Sequence, residues 1–318
     1  LLLQDRTGSI KAKIWDNADI DFDSVPTEGV VYITGQVEYF NNTAQIVIEK
    51  IELVDINEVN PSDFVPASKE NPEKLLKELK ECLKPAFSGP YKTLLERFFR
   101  DKELVEFFKK APGAVKVHHA YIGGLLEHTL NVVRLCSILC DLYPFLDKPL
   151  LLTGALIHDI GKIREYRYDW KLDLTDEGKL IGHTVLGVQI LNELIRSIPS
   201  FPSETATLLR HMILSHHGEI ETGAVRLPMT REALALHMAD NLDAKMASVN
   251  QIYEETGAQE RWTEYQKLYA RQFFIPVPGQ THEKEEDTKM ELPTRGQKSI
   301  QELFERIIVE LNDKSEGD

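Results

Sequence analysis

Hydrophobic and polar residues alternate along the first part of the chain. Isoleucine and valine recur at alternate positions in three stretches, which read GSIKAKIWD, VVYITGQVEYF and AQIVIEKIELV. Turn residues separate these stretches at TG, PTEG and NN, and the opening LLLQD is typical of a strand entered midway. The period of two predicts three or four short strands, and their size and spacing favour a small β-barrel over residues 1–60.

A different period begins after a proline-containing linker. The stretch VNPSDFVPASKENPEK contains three prolines and no period, and Asn71-Pro72 has the pattern of a helix start. Apolar residues then recur at helical intervals, which predicts a helical connector within residues 61–115 and at least five more helices over residues 116–275. Strand signals are almost absent there. We therefore expect a multidomain α+β protein, with a β-barrel followed by an all-α bundle.

The end of the chain has one more helical pattern. After the linker IPVPGQTHEKEEDTKMELPTRG, the stretch QKSIQELFERIIVELNDK predicts an amphipathic helix within residues 276–318. Its apolar face consists of Ile300, Leu303, Phe304, Ile307, Ile308 and Leu311. Such a face docks on its own chain or on a partner, so we expect a homo-oligomer or a protein partner through this helix.

Charge limits how the protein can bind a polyanion. The 318 residues carry a formal charge of −14, and the first 56 contain four Lys or Arg against ten Asp or Glu. Bulk positive charge is thereby excluded as the means of binding nucleic acid. If the barrel is of the OB type, Trp15, Tyr39 and Phe40 can instead stack on bases. The alternative is a β accessory domain with ordinary core and edge aromatics.

Cysteine count and hydropathy indicate the compartment. The chain has three cysteines, Cys82, Cys136 and Cys140, and we expect them to be reduced, in a cytoplasmic protein. No apolar run approaches the roughly 20 residues that span a bilayer, and the first residues lack the features of a signal peptide. The abrupt start at Leu1 predicts that the natural N-terminus has been cut away together with one strand of the barrel.

Side chains that can bind metal recur through the helical region, each time on a different predicted element. They are His128, His158, Asp159, His183, His216, His217 and Asp240. Imidazole nitrogen and carboxylate oxygen together suit Mn, Fe, Co, Ni or Zn, and a pocket of four to six such donors can hold one or two ions. A lone histidine on an apolar helix has a structural explanation as well, which leaves His128 ambiguous when it is considered alone.

The adjacent pair His158-Asp159 favours the metal. It ends the apolar run LLTGALIHDIGK, where an unpaired carboxylate is costly to bury. Asp159 has two oxygens and can bridge two ions about 3.5 to 4 Å apart. On a continuing helix Lys162 points the same way and can bind a substrate phosphate oxygen, while Gly161 keeps that approach open.

Asp240 lies in LALHMADNLDAKM, where it is an acidic residue inside an apolar helical pattern. As for Asp159, burial of this carboxylate without a partner would be costly. Asp243 and Lys245, which follow it, are interpreted as surface charges.

This order of residues resembles the HD superfamily of metal-dependent phosphohydrolases, whose pattern is a histidine, a His-Asp pair and a distant aspartate on a helical bundle. His128, His158-Asp159 and Asp240 match that pattern. His183 and one of His216 and His217 resemble the additional ligands of the two-metal branch. We assign His216 as the ligand, with His217 as the alternative or as an outer contact. The resemblance implies two divalent ions.

The resemblance extends to the YhaM family, in which DRTGSIKAKIWD, PSDFVP, HHAYIGGLLEHTLNV and HDIGK follow in the same order and cover the chain to about residue 275. It implies a 3′-to-5′ exoribonuclease that prefers Mn²⁺ and shortens single-stranded RNA, with some activity on single-stranded DNA. His118 and His119 match the motif before the first ligand helix and are expected near the substrate. Asp159 and Lys162 are the expected catalytic residues.

Two other classes of function stay open at this point. One is a different HD enzyme that acts on nucleotides or cyclic dinucleotides, or a di-iron oxygenase, since similar ligands serve each chemistry. The other is a non-catalytic nucleic-acid-binding protein whose helical domain only supports the barrel. Metal-dependent product release distinguishes the enzyme from the binding protein.

Overall fold

The structure is a computed structural model that describes residues 1–6, 8–15, 29–40, 43–60, 63–114, 120–168, 171–256 and 260–276. The chain contains two compact units, Leu1–Thr256 and Gly257–Asp318. The predicted C-terminal helix and the pair His118 and His119 lie outside the described residues. The finer division into four segments stays a prediction.

Four strands form one sheet in the N-terminal part of the chain. They are β1 (Leu2–Asp5), β2 (Gly8–Lys13), β3 (Val31–Phe40) and β4 (Thr43–Leu53). The order across the sheet is β1-β2-β4-β3, with β2 and β4 parallel and the other neighbours antiparallel. The strands coincide with the alternating stretches of the sequence and confirm them. Ala12 and Ile48 are buried, as the alternation requires of residues on an inner face.

The described residues beyond the sheet contain ten α-helices. Their bounds are α1 Pro72–Cys82, α2 Gly89–Arg100, α3 Lys102–Lys110, α4 Gly124–Leu142, α5 Lys148–Ile157, α6 Lys162–Glu165, α7 Asp176–Ile181, α8 His183–Arg196, α9 Ser203–Ser215 and α10 Arg231–Glu255. The predicted start of α1 is confirmed, because the Asn71 side chain accepts from two backbone amides of the first turn and Pro72 opens the helix.

One element of the helical region was not expected from its pattern. A two-stranded hairpin, β5 (Tyr166–Tyr168) and β6 (Leu172–Leu174), follows α6 where the sequence predicts only a break between helices. Each strand has three residues, which is too short for a period of two to be recognised.

Helices α4 and α5 form the centre of the bundle. Leu125, Leu126, Leu151 and Leu152 are completely buried, and most of α5 is buried all round. The three cysteines are free thiols, and Cys136 and Cys140 lie in this core. Among the described residues, no helix has both the length and the apolar character needed to cross a bilayer.

The absence of a side chain at Gly161 allows a close approach between the backbones at the starts of α6 and α8. A Cβ atom on Gly161 would lie 1.9 Å from the carbonyl oxygen of His183 and 2.6 Å from the amide nitrogen of Gly187. Backbone atoms in a packed interior cannot move aside unless a whole element shifts. The interpretation that Gly161 keeps an approach to Lys162 open is therefore wrong. Gly161 is buried, and its missing side chain lets α8 approach the turn after α5.

Gly161→Ala is expected to destabilise the protein by about 1–3 kcal/mol, because the added methyl group overlaps backbone atoms of α8. Urea denaturation followed by circular dichroism measures this change. Gly187→Ala is the matched control. Its Cβ would lie 3.2 Å from a side-chain carbon of Ile213, and alanine is favoured over glycine within a helix. If Gly161→Ala were as stable as the wild type, the close approach of α6 and α8 would not be required.

Candidate metal centre

Five helices bring the predicted metal ligands to one place. His128 lies within α4, His158 and Asp159 follow the end of α5, and His183 is the first residue of α8. His216 and His217 follow α9, and Asp240 lies within α10. The inner group comprises His128, His158, Asp159 and Asp240, and the outer group comprises His183, His216 and His217. In each group the candidate ligand atoms lie within 4.8 Å of one another.

In the inner group the donor atoms face one another across short distances. Nε2 of His128 lies 3.2 Å from Nε2 of His158 and 3.1 Å from Oδ1 of Asp240. Oδ2 of Asp159 lies 3.5 Å from the first of these nitrogens and 3.4 Å from the second. The side chains of His128, His158 and Asp159 are buried, and that of Asp240 is 13% exposed.

Asp159 joins the inner group to the outer group. Its second oxygen, Oδ1, lies 3.6 Å from Nε2 of His183 and 3.5 Å from Nε2 of His216. Nε2 of His183 in turn lies 2.9 Å from Nε2 of His217. One carboxylate therefore presents one oxygen to each group, which is the arrangement of a ligand that bridges two cations.

The hydrogen bonds at the far side of the rings show which atoms remain as donors to a metal. Nδ1 of His158 donates to the carbonyl oxygen of Ala155 at 2.8 Å, and Nδ1 of His216 donates to that of Ile213 at 2.7 Å. In the neutral ring the proton is then on Nδ1, and Nε2 carries a lone pair.

Two of the inward-facing atoms are buried without a hydrogen-bond partner among the described residues. They are Nε2 of His216 and Oδ1 of Asp159. An unsatisfied buried acceptor costs about 1–3 kcal/mol, and a cation between such atoms removes the cost. The donor set therefore fits a divalent metal ion.

The pKa shifts of Asp159 and His158 in the inner group also result from charged groups that are buried close to one another. Burial raises the pKa of Asp159, but the charges of Lys162 and His158 outweigh it and hold the pKa well below its usual range. Burial lowers the pKa of His158, but the charge of Asp159 and the hydrogen bonds to Asp159 and Asp240 raise it to about 10. Protons and Lys162 thus neutralise carboxylates that a bound cation could neutralise instead.

Comparison with known proteins is consistent with this geometry. The HD domain family matches residues 125–245, and the family of OB-fold nucleic acid binding domains matches residues 1–54. The 3′-5′ exoribonuclease YhaM of Geobacillus sp. (strain WCH70) is 33% identical over 278 residues, which are 87% of this chain and 85% of the relative. The enzyme of the same name from Bacillus subtilis (strain 168) is 32% identical over 278 residues, 87% of this chain and 88% of the relative.

The chain belongs to the YhaM family. The predicted fold, an OB domain followed by a helical HD domain, is thereby confirmed. No solved structure gives a significant match to the chain.

In this YhaM-family chain the backbone that leads to Lys162 differs from the predicted helix. The expectation of a helix continuing from His158 is wrong, because α5 ends at Ile157 and tight turns follow, with the amide of Lys162 donating to the carbonyl oxygen of Asp159 at 3.0 Å. The Lys162 side chain is nevertheless buried at the centre, with Nζ 2.6 Å from Oδ2 of Asp159.

Two carboxylates that contact candidate metal ligands were not identified from the sequence. Asp243, interpreted there as a surface charge, is buried, and its Oδ2 accepts from Nδ1 of His128 at 2.7 Å. Glu165 accepts from Nδ1 of His183 at 3.0 Å and from the backbone amide of the same residue at 2.9 Å. The spacing of Asp240 and Asp243, one helical turn apart, is the sequence signal that could have identified Asp243. Lys245 is exposed, as expected.

The OB-fold part exposes the three aromatic side chains predicted to bind substrate, Trp15, Tyr39 and Phe40. Nζ of Lys13 lies 4.8 Å from the ring centroid of Phe40 and 5.7 Å from that of Trp15. Neighbouring residues of a strand point to opposite faces, so Tyr39 does not share the face of Phe40. Lys13, Trp15 and Phe40 are called the stacking patch below.

Metal binding by this YhaM-family chain is expected to release protons at pH 7.5. With its pKa raised to about 10, His158 is protonated at that pH, and a cation must displace the proton to reach the nitrogen. The affinity should therefore fall as the pH falls, by up to about tenfold per unit for one proton. Calorimetric titration with Mn²⁺ in two buffers of different ionisation enthalpy measures the release. Asp141→Asn, which changes an exposed carboxylate, serves as the control. Binding heats that are the same in the two buffers would contradict the expected proton release.

Proposed function

We propose that this chain is a metal-dependent 3′-to-5′ exoribonuclease that hydrolyses single-stranded RNA and releases nucleoside 5′-monophosphates, with single-stranded DNA as a second substrate. The observation that carries the proposal is the position of Asp159. Its two oxygens face two groups of candidate metal ligands, in a chain that also has an OB-fold domain. The names of the relatives, 3′-5′ exoribonuclease, support the polymer substrate and the direction.

The inner and outer groups supply the ligands in this proposal. A first ion would be held by His128, His158, Asp159 and Asp240. A second would be held by Asp159, His183 and His216, with His217 as the alternative to His216 because it belongs to the same group of donors. Mn²⁺ is the proposed metal because the resemblance to the YhaM family implies it, and the mixed nitrogen and oxygen ligands would also accept other transition metals. When bound, two such cations lower the pKa of a water molecule and offset negative charge on phosphoryl oxygens.

Side chains of this protein supply the remaining steps. The ammonium group of Lys162 lies beside Asp159, where it can donate to a non-bridging phosphate oxygen and offset the charge that develops during hydrolysis. The water oxygen bonds to phosphorus, and the bond from phosphorus to the 3′-oxygen of the upstream nucleotide breaks. The 3′-oxygen takes up a proton from that water and becomes the 3′-hydroxyl of the upstream strand. The phosphorus stays on the 5′-oxygen of the released nucleotide, which therefore leaves as a 5′-monophosphate.

The OB-fold part holds the upstream strand in this proposal. Trp15, Tyr39 and Phe40 stack on bases, and Lys13 adds a positive charge beside two of the rings. His118 and His119 are proposed to lie near the substrate. A cytoplasmic location and a partner for the C-terminal helix stay predictions from the sequence.

The central test uses metal-stripped protein and 5′-labelled single-stranded RNA, with and without Mn²⁺. We expect a metal-dependent ladder that shortens from the 3′ end with release of mononucleotides. Intact RNA with every metal would contradict the exonuclease and direct attention to nucleotides and cyclic dinucleotides as substrates. Binding of RNA without any metal-dependent product would favour the non-catalytic alternative.

Asp159→Ala is expected to abolish RNA hydrolysis and Mn²⁺ binding while the helical content is retained, because the variant lacks the carboxylate that faces both groups. Initial rates and circular dichroism measure the two effects. Asp141→Ala removes an exposed carboxylate paired with Lys148 and should keep the wild-type rate. Full activity of the Asp159→Ala protein would rule out the assigned role.

Trp15→Ala and Phe40→Ala are each expected to weaken RNA binding by about 1–3 kcal/mol, the usual contribution of one stacked base, at an almost unchanged kcat on a dinucleotide. Fluorescence anisotropy with labelled RNA and kinetics on the dinucleotide measure the two quantities. Tyr143→Ala, which removes an exposed aromatic side chain at the end of α4, is the control. Wild-type affinity in both variants would exclude the stacking patch from the RNA path.

A further inference from the structure

Each half of the candidate metal centre contains one histidine whose outer nitrogen meets a carboxylate. In the inner group this histidine is His128, which donates to Asp243, and in the outer group it is His183, which donates to Glu165. His158 and His216 donate instead to backbone carbonyl oxygens. Each half therefore contains one histidine with a carboxylate partner and one with a backbone carbonyl partner.

Asp243 acts on His128 from the side opposite to the metal ligands. It lies one turn after Asp240 on α10, and the two carboxylates contact the two nitrogens of the same ring. Oδ2 of Asp243 lies 2.7 Å from Nδ1, and Oδ1 of Asp240 lies 3.1 Å from Nε2. With Nδ1 donating to Asp243, Nε2 is left to present its lone pair to the inner group.

Glu165 holds His183 by its backbone and by its side chain. One oxygen of Glu165 accepts from the amide of His183 at 2.9 Å and from Nδ1 of the ring at 3.0 Å. His183 is the first residue of α8, so the carboxylate also satisfies a free amide at the positive end of that helix. Nε2 of His183 is thereby directed toward Asp159 and His217.

A carboxylate partner has an effect that a carbonyl partner lacks. Both fix the ring in the Nδ1–H form, but the negative charge of the carboxylate also makes Nε2 a more basic ligand. Loss of such a partner typically lowers metal affinity about 10–100-fold.

We propose that Asp243 and Glu165 are positioning residues, each of which sets the metal affinity of one half of the site through a single histidine. Asp243 acts on the inner group through His128, and Glu165 acts on the outer group through His183. The inference rests on the metal centre of the proposed function and concerns affinity rather than hydrolysis.

The test uses Asp243→Asn and Glu165→Gln, which keep the shape of the side chain and an acceptor oxygen but remove the charge. Mn²⁺ titrations followed by electron paramagnetic resonance count the ions and give their affinities. We expect Asp243→Asn to weaken one ion and Glu165→Gln the other, each about 10–100-fold. Circular dichroism and urea denaturation in the presence of a chelator verify the fold, and Glu165→Asp, which restores the charge, should recover part of the affinity.

Double-mutant cycles show through which histidine each carboxylate acts. The effect of Glu165→Gln should disappear in a His183→Ala background and persist in a His128→Ala background, and the reverse should hold for Asp243→Asn. A general loss of packing would not follow this pattern. Glu177→Gln and Asp141→Asn are matched controls, because these carboxylates pair with Arg164 and Lys148 instead of a histidine.

The possible results separate this inference from the proposed function. Wild-type Mn²⁺ affinities in both amide variants would overturn the inference while the exonuclease assignment stands. Effects that persist in the background of the assigned histidine would overturn it as well. If the wild-type protein binds two Mn²⁺ ions and the double-mutant cycles give the expected pattern, but the wild-type protein leaves RNA intact, the inference is supported and the proposed function is contradicted.

Discussion

The buried carboxylate of Asp159 is the group on which the rest of the site depends. Removing a carboxylate from water is costly unless cations or hydrogen-bond donors replace the solvent. Lys162 neutralises one oxygen of Asp159, while the other has no hydrogen-bond partner among the described residues. Four of the five helices that meet at Asp159 bring histidine nitrogens beside it, and α10 brings the carboxylate of Asp240, so folding creates a donor set that fits a divalent cation.

That convergence depends on close packing at the turn after α5. The carbonyl oxygen of His183 occupies the space where a side chain of Gly161 would lie, so α8 begins directly beside Asp159. Glu165 then fixes the first residue of α8 by two hydrogen bonds. The apolar run of α5 supplies the rigid support, since its residues are buried on every side and define where the turn must begin.

The sequence predicted the parts of the structure that depend on local patterns of residues or on an unusual residue in such a pattern. Alternation identified β2, β3 and β4, and buried acidic residues in apolar runs identified Asp159 and Asp240. Asp243 was missed because its partner, His128, is 115 residues away, and a charged residue on a helix usually faces water. The sequence predicts a helix that continues from His158 to Lys162, whereas the chain turns there and Gly161 packs directly against the backbone of α8, a contact between segments that are far apart in the sequence.

The acidic character of the chain has a consequence for how a polyanion can be bound. A net charge of −14 repels RNA at long range, so little of the affinity can come from release of counterions by lysine and arginine. The proposed stacking on Trp15 and Phe40 would be weakened less by that repulsion, because bases present neutral faces. Lys13 places a positive charge beside the aromatic rings in the OB part, and Lys162 places one beside Asp159 in the helical part. A strand held mainly by its bases can slide as nucleotides are removed, whereas many fixed phosphate contacts would have to break together at each step.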